Sequence, residues 1–331
     1  MIVKKQAYAR AGLVGNPSDG YFGKTISLIV KNMSATVTLW ESPELTIELS
    51  DRDKTRFRNI YDLHREVNRF GYYSGLRLLK ATMKRFAEWC EKRCIMLPNR
   101  NFTVRYASNI PRHVGLAGSS AIITAFLRAM AEFYELSIPL VEQPTLVLAV
   151  ETEELGISAG LQDRVIQAYE GVVYMDFRRD LVESTGHGEY ERLSPDLLPP
   201  LFIAYRTDLQ EGSEVFHNNI RMRFNTGDTA VLDAMKRFAE LAQLSREALL
   251  SGRPERIGEY MDENFDLRAS IYPISERNRQ MVQIGRQLSA HVKFSGSGGA
   301  IIGTYDDHDV FPALEKAYVE AGFKIFRPRI V

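Results

Sequence analysis

A chain of 331 residues, 45% apolar and 25% charged, is long enough for two hydrophobic cores and too ordinary in composition for a disordered or fibrous protein. Its 42 basic and 42 acidic side chains cancel, which argues against a broad nucleic-acid-binding surface and leaves any bound polyanion to local geometry. No apolar run approaches the roughly 20 residues that span a bilayer, and the N-terminus lacks a signal-peptide pattern, so a cytoplasmic protein is expected.

The first fifty residues read as strands over 3–13, 25–30, 35–40 and 45–49, separated by Gly, Pro, Asn and Ser. Leu76, Leu79, Met83, Phe86 and Trp89 then recur at helical spacing, predicting a helix over 72–90. The two cysteines, Cys90 and Cys94, lie four apart on that pattern and are expected to share a face as free thiols in a reducing compartment. A strand over 102–107 feeds a Gly/Ser-rich turn over 111–121, followed by an apolar helix over 122–134. Free amides and the positive end of a helix dipole suit a nucleotide phosphate there. The Gly-x4-Gly-Lys-Ser/Thr loop and its lysine are absent. The plainer alternative is a helix cap in which Ser119 or Ser120 satisfies an orphan amide.

Helices over 140–154 and 161–169 flank a break at 156–160, and a strand over 171–177 closes this half. Leu198-Pro-Pro200 is the expected boundary between domains 1–197 and 198–331. Beyond it come a strand over 201–205 and helices over 213–224, 230–250, 254–268 and 276–289. A strand over 291–294, the turn Ser295-Gly-Ser-Gly-Gly299, a strand over 300–305, a helix over 309–321 and a strand over 323–329 end the chain. There is no internal repeat, and the mixed order predicts two α+β layers rather than a doubly wound parallel sheet.

Residues 111–121, Pro-Arg-His-Val-Gly-Leu-Ala-Gly-Ser-Ser-Ala, resemble the phosphate-binding signature Pro-x3-Gly-Leu-x-Ser-Ser-Ala of the GHMP kinases. Residues 293–302, Lys-Phe-Ser-Gly-Ser-Gly-Gly-Ala-Ile-Ile, resemble that family's C-terminal glycine-rich motif, and 9–21 its N-terminal substrate motif. Residues 151–163 resemble the galactokinase segment ending in Gly-x-x-Asp. The matches keep the family's order across nearly the whole chain. Two departures stand out: Gly-Leu-Ala-Gly-Ser-Ser is one residue longer than usual, and Gly15-Asn16-Pro17 replaces the Gly-Glu-His of galactokinase. Both are similar to the plant-type glucuronokinase branch, as are residues 12–19, 159–164 and 293–299.

The resemblance implies a two-domain α+β GHMP-kinase-like fold, with the active site between an N-terminal α+β domain and a C-terminal ferredoxin-like one. It implies an ATP-dependent sugar 1-kinase that phosphorylates the anomeric hydroxyl of D-glucuronate. The alternatives are a kinase for galacturonate, galactose or a heptose, and a non-catalytic sugar sensor. ATP would lie against Pro111, Gly115, Leu116, Ala117, Gly118, Ser119, Ser120 and Ala121, with Ser295 and Gly296 closing the site. Mg2+ would take the Ser120 hydroxyl and the Glu151 carboxylate, with Glu153 a competitor. Asp163 becomes the catalytic carboxylate and Arg10 the basic group beside it; otherwise they are a first-turn helix acid and a surface charge.

Asp19 would accept two sugar hydroxyls, or simply serve its Asn-Pro-Ser-Asp-Gly turn. Asn16, Tyr21 and Gln162, together with Tyr8, add polar edges. A uronate carboxylate calls for a bidentate arginine, with Arg164, Arg221, Arg223 and Arg268 as candidates. Expected partners are ATP and a sugar or sugar acid, with no nucleic acid and no membrane; monomer and homodimer both stay open.

Overall fold

The computed structural model describes residues 1–49, 75–207, 214–307 and 309–330. The first sheet grows from an antiparallel spine of β1 (Ile2–Val14) and β2 (Lys24–Ser42). It adds β3 (Thr46–Ile47), β4 (Asn101–Ser108), β5 (Val172–Asp176) and β6 (Glu189–Leu193). Two strands were expected where β2 runs unbroken, because Lys31-Asn-Met-Ser34 contains no Gly or Pro to stop it. The register slips there instead: Tyr8 faces Ser34 while Ala9 faces Val30. Beyond the slip, the far edge of β2 passes from β4 to β5. Before it β1 presents a partly exposed face; after it every residue to Val14 is buried, and Arg10 is carried inside.

Helix α1 (Gly75–Lys92) packs on α2 (Gly118–Phe133), whose nearly all-apolar surface lies against β1 and β2. Phe102 of β4 meets Phe126 and Phe133 of α2 edge-on. Because α1 ends at Lys92, Cys94 lies beyond it, exposed and with φ of 54°, while Cys90 is buried. The thiols are free but do not share a helix face. The helix expected over 140–154 is α3 (Glu142–Ala149) followed by a π-helical turn, Val150–Glu154. After a break comes α4 (Gln162–Tyr169). The short, polar α5 (Arg179–Thr185) and β6 had no counterpart in the predicted elements, because neither carries an apolar period long enough to read.

The second sheet contains β7 (Leu201–Arg206), β8 (His291–Phe294), β9 (Ala300–Thr304) and β10 (Phe323–Phe326), all antiparallel in the order β10-β7-β9-β8. Between β7 and β8 run α6 (Glu214–Asn225), α7 (Thr229–Leu250), α8 (Arg256–Ile271) and α9 (Glu276–Gln287); α10 (Val310–Glu320) joins β9 to β10. This strand order with helical crossovers is the expected ferredoxin-like arrangement. The last strand stops at Phe326, short of the predicted 329. Leu241, Ala248 and Leu249 of α7 and Ile257 and Met261 of α8 join the core built on β1 and β2, so the second half is anchored in the first.

Candidate active site

Arg10 is the point where three distant segments meet. Its Nε and Nη2 donate to the two carboxylate oxygens of Asp163 at 2.5 and 2.8 Å. Nη1 donates to the carbonyl of Gly115 at 2.6 Å and to that of Ser295 at 3.0 Å. The bidentate fork is the strong geometry for such a pair, with Arg10 buried and Asp163 half-buried. Burial pushes the Asp163 carboxyl up, but the charges of Arg10 and then Arg164 outweigh it and hold it below the usual carboxylate range. The β1 backbone joins the same junction: the amide of Arg10 donates to Leu116 and that of Gly12 to Ser295.

Glycine is needed where the two loops touch. A Cβ on Gly296 would lie 2.3 Å from the Gly115 carbonyl oxygen and 2.7 Å from Arg10 Nη1. Gly115 itself has φ of 69°, and a Cβ there would lie 2.8 Å from the Gly298 carbonyl. The first loop enters α2 through Ala117, which is left-handed (φ 59°) and caps with no side chain. The serine cap considered from sequence is therefore absent. The amides of Gly118, Ser119 and Ser120 open the helix without intrahelical acceptors, an arrangement that suits an anion. Leu116 and Ala121 are buried in the core and support the loop through packing, and Pro111 stands half-buried at the loop entrance.

Ser119, not Ser120, meets Glu151: its hydroxyl donates to Oε1 at 2.7 Å, whereas that of Ser120 turns back to the Ala117 carbonyl. With α2 starting at Gly118, one residue of helical rotation aims Ser120 into the packed interior. The π-helical turn places Glu151 fully inside, where its Oε2 accepts from Arg164 Nε at 2.7 Å and also from Nη2. Glu153, weighed as its competitor, faces α1 and pairs with Arg85. Arg164 also donates to the Gly160 carbonyl and lies 3.3 Å from Asp163. Its donors are thus committed to the site's own carboxylates and backbone. Among the described residues no three His, Cys, Asp or Glu gather as a metal cage. The Ser119–Glu151 oxygens nevertheless suit Mg2+, which takes one or two protein oxygens and completes its shell with phosphate and water.

Asp19 occupies the other end of the junction, on the 3-10 turn Ser18–Tyr21. The Gln162 amide donates to its Oδ2 at 3.3 Å, and a Cβ on Gly160 would collide with that oxygen. Burial, then the negative charge of Asp163, pushes its pKa up to about 6. A Cβ on Gly12 would lie 3.0 Å from the Gln162 side-chain nitrogen and 3.1 Å from Asn16 Oδ1, so these two amides flank the same point. Tyr21 packs in one cluster with Tyr272, under the Arg221 guanidinium. Arg268 is buried, donates to the carbonyls of Gly296 and Ser297, and stacks on Tyr272 and Phe294. Arg223 is taken by Asp228 and the Ile271 carbonyl. Tyr8 turns away, toward Gln6 and Lys31.

Two residues of this junction were not anticipated. Lys293 is buried, and its ammonium donates to the Gly12 carbonyl at 2.8 Å, to Asn16 Oδ1 at 2.5 Å and to the Phe294 carbonyl at 2.7 Å. Burial, with the charges of Arg268 and Arg10, pushes its pKa well down; the three acceptors oppose that by using every ammonium hydrogen. Asn264 accepts from the Gly15 amide and donates to the Asn16 carbonyl, copying a strand partner. A lone lysine in a four-residue strand and an asparagine in a helix carry no periodic signal that would have singled them out.

The GHMP kinases N terminal domain family matches residues 77–171, and the GHMP kinases C terminal family matches residues 245–322. The chain is 40% identical to Glucuronokinase 1 of Arabidopsis thaliana over 306 residues, covering 91% of this chain and 84% of that protein. It is 23% identical to D-glycero-alpha-D-manno-heptose 7-phosphate kinase of Campylobacter jejuni, over 75% of this chain and 71% of that one. Among solved structures, Lactococcus lactis galactokinase complexed with galactose superposes with a TM-score of 0.77 at 15% identity, covering 99% of this chain and 93% of that one. Methanococcus jannaschii mevalonate kinase gives 0.72 at 19% identity, covering 100% and 98%.

Proposed function

The chain belongs to the GHMP kinases, and from that premise we propose that it moves the γ-phosphoryl group of ATP onto the anomeric hydroxyl of D-glucuronate. The observation that carries the chemistry is the Arg10–Asp163 fork, held at the contact of the two glycine-rich loops. The 40% identity with the Arabidopsis glucuronokinase supports the choice of sugar acid.

The triphosphate lies against the free amides that open α2, where the helix dipole favours its charge. Glu151 and Ser119 would hold Mg2+, which would offset the negative charge of the triphosphate. Asp163 accepts the hydrogen bond of the anomeric hydroxyl and aims its oxygen at the γ-phosphorus. The new oxygen–phosphorus bond forms as the bond to the ADP oxygen breaks, and the hydroxyl proton passes to Asp163. Because Arg10 lowers the basicity of Asp163, the carboxylate is a positioning group first and takes the hydroxyl proton late, once bonding to phosphorus has made that proton acidic. Asp19 accepts hydroxyls at the far side of the ring, with Asn16, Gln162 and Tyr21 as its polar walls. Residues 1–197 supply the phosphate loop and both aspartates, and residues 198–331 supply the closing loop.

The test is ADP release and sugar 1-phosphate formation with glucuronate, galacturonate, galactose, glucose and a heptose. Glucuronate is expected to give the highest kcat/KM. Faster turnover of a neutral sugar overturns the substrate assignment, and sugar binding without ATP consumption establishes a sensor instead.

A further inference from the structure

Of the four arginines that sequence offers for a substrate carboxylate, three are each held at two or more protein acceptors. Arg164 is held by Glu151, Asp163 and Gly160, Arg223 by Asp228 and Ile271, and Arg268 by Gly296 and Ser297. The one nitrogen of Arg268 left over, Nε, is fully enclosed and out of reach of a ligand. Arg221 differs in every respect. It is exposed on α6 and has no carboxylate partner among the described residues. A single nitrogen, Nη1, donates to the Gly20 carbonyl at 2.7 Å, while the guanidinium lies 4.5 Å from the centre of the Tyr21 ring.

The geometry points to Arg221 as the group that receives the substrate's carboxylate and so selects a sugar acid over the corresponding neutral sugar; this rests on the function proposed above. Three features converge on it. The aromatic face of Tyr21 and the Gly20 carbonyl fix the plane of the fork and leave its other nitrogens free to donate. Gly20 gives it room, since a Cβ there would come within 3.1 Å of Nη2. The residue beside Gly20 is Asp19, and consecutive Cα atoms are about 3.8 Å apart, so one sugar ring can meet both groups. The charge balance agrees. Arg10 and Arg164 are paired with the carboxylates of Asp163 and Glu151, whereas Arg221 is paired with none among the described residues. A second anion from the substrate is favoured there.

The experiment compares kcat/KM for glucuronate and glucose, which differ in the carboxylate, in wild type, Arg221→Met and Arg221→Lys, with thermal midpoints recorded. In Arg221→Met the glucuronate-to-glucose ratio is expected to fall roughly 50-fold, the scale of a lost charge-assisted pair, chiefly through the KM for glucuronate. Arg221→Lys is expected to restore part of it. If Arg221 only braces the Gly20 turn, both sugars suffer alike and the ratio holds; that result, with wild type preferring glucuronate, overturns this assignment alone. A wild type without preference for glucuronate overturns the proposed function, and this assignment with it.

Discussion

Two carboxylates share the site with opposite acidities, and the difference divides their labour. Asp163 is half-buried against Arg10 and Arg164 and stays ionised; Asp19, half-buried with no ion-pair partner among the described residues and facing the charge of Asp163, has its pKa pushed up to about 6. A raised carboxyl pKa means that the hydroxyl-accepting anion exists only above that value. The proposed sugar site should therefore lose kcat/KM as pH falls through about 6, and Asp19→Asn should flatten that limb while raising the sugar KM; a pH–rate profile decides. Asp163→Asn keeps the side chain's shape but removes its charge. It is expected to lower turnover about 10²- to 10⁴-fold with nucleotide affinity nearly intact, measured by single-turnover transfer and by ATP titration. Wild-type turnover in Asp163→Asn removes it from the mechanism. Both aspartates were legible in the sequence as residues of turn and helix-start segments; their contrasting acidities were not, because each depends on neighbours more than a hundred positions away.

At the scale of elements, the two glycine-rich loops work as one unit. Their glycines mark where backbone presses on backbone, which is why the motifs are readable in sequence: no other residue tolerates that approach. Gly296→Ala should force the closing loop off Gly115 and Arg10. Nucleotide binding is expected to weaken by roughly tenfold, a change of about 1.4 kcal/mol, and turnover to fall with it; unchanged ATP affinity by calorimetry contradicts the loop contact. Less was legible where backbone geometry departs from a regular period. The π-helical turn that buries Glu151 looks like a continuing helix in sequence, and the start of α2 at Gly118 decides that Ser119 rather than Ser120 faces it. One residue of rotation decides which serine meets the carboxylate, and no sequence spacing resolves that.

For the molecule as a whole, the junction depends on α7 and α8 reaching from the second half into the core of the first, and on Lys293 and Asn264 tying β1 to the second half. Lys293→Met removes an ammonium from three buried acceptors. Orphaned buried acceptors cost about 1–3 kcal/mol each, so the thermal midpoint should drop by several degrees and the sugar KM should rise more than that of ATP. An unchanged midpoint in a melting experiment means the tie carries no stability. What the amino-acid order determined by itself was local: which segments form strands and helices, where glycine must stand, and which motif residues belong together in family order. The convergence of Arg10, Asp163 and Ser295, the burial of Lys293 and the commitment of all but one candidate arginine were decided only in three dimensions. Those outcomes depend on long-range packing that strips water from some charges and leaves others exposed, and a linear pattern does not encode it.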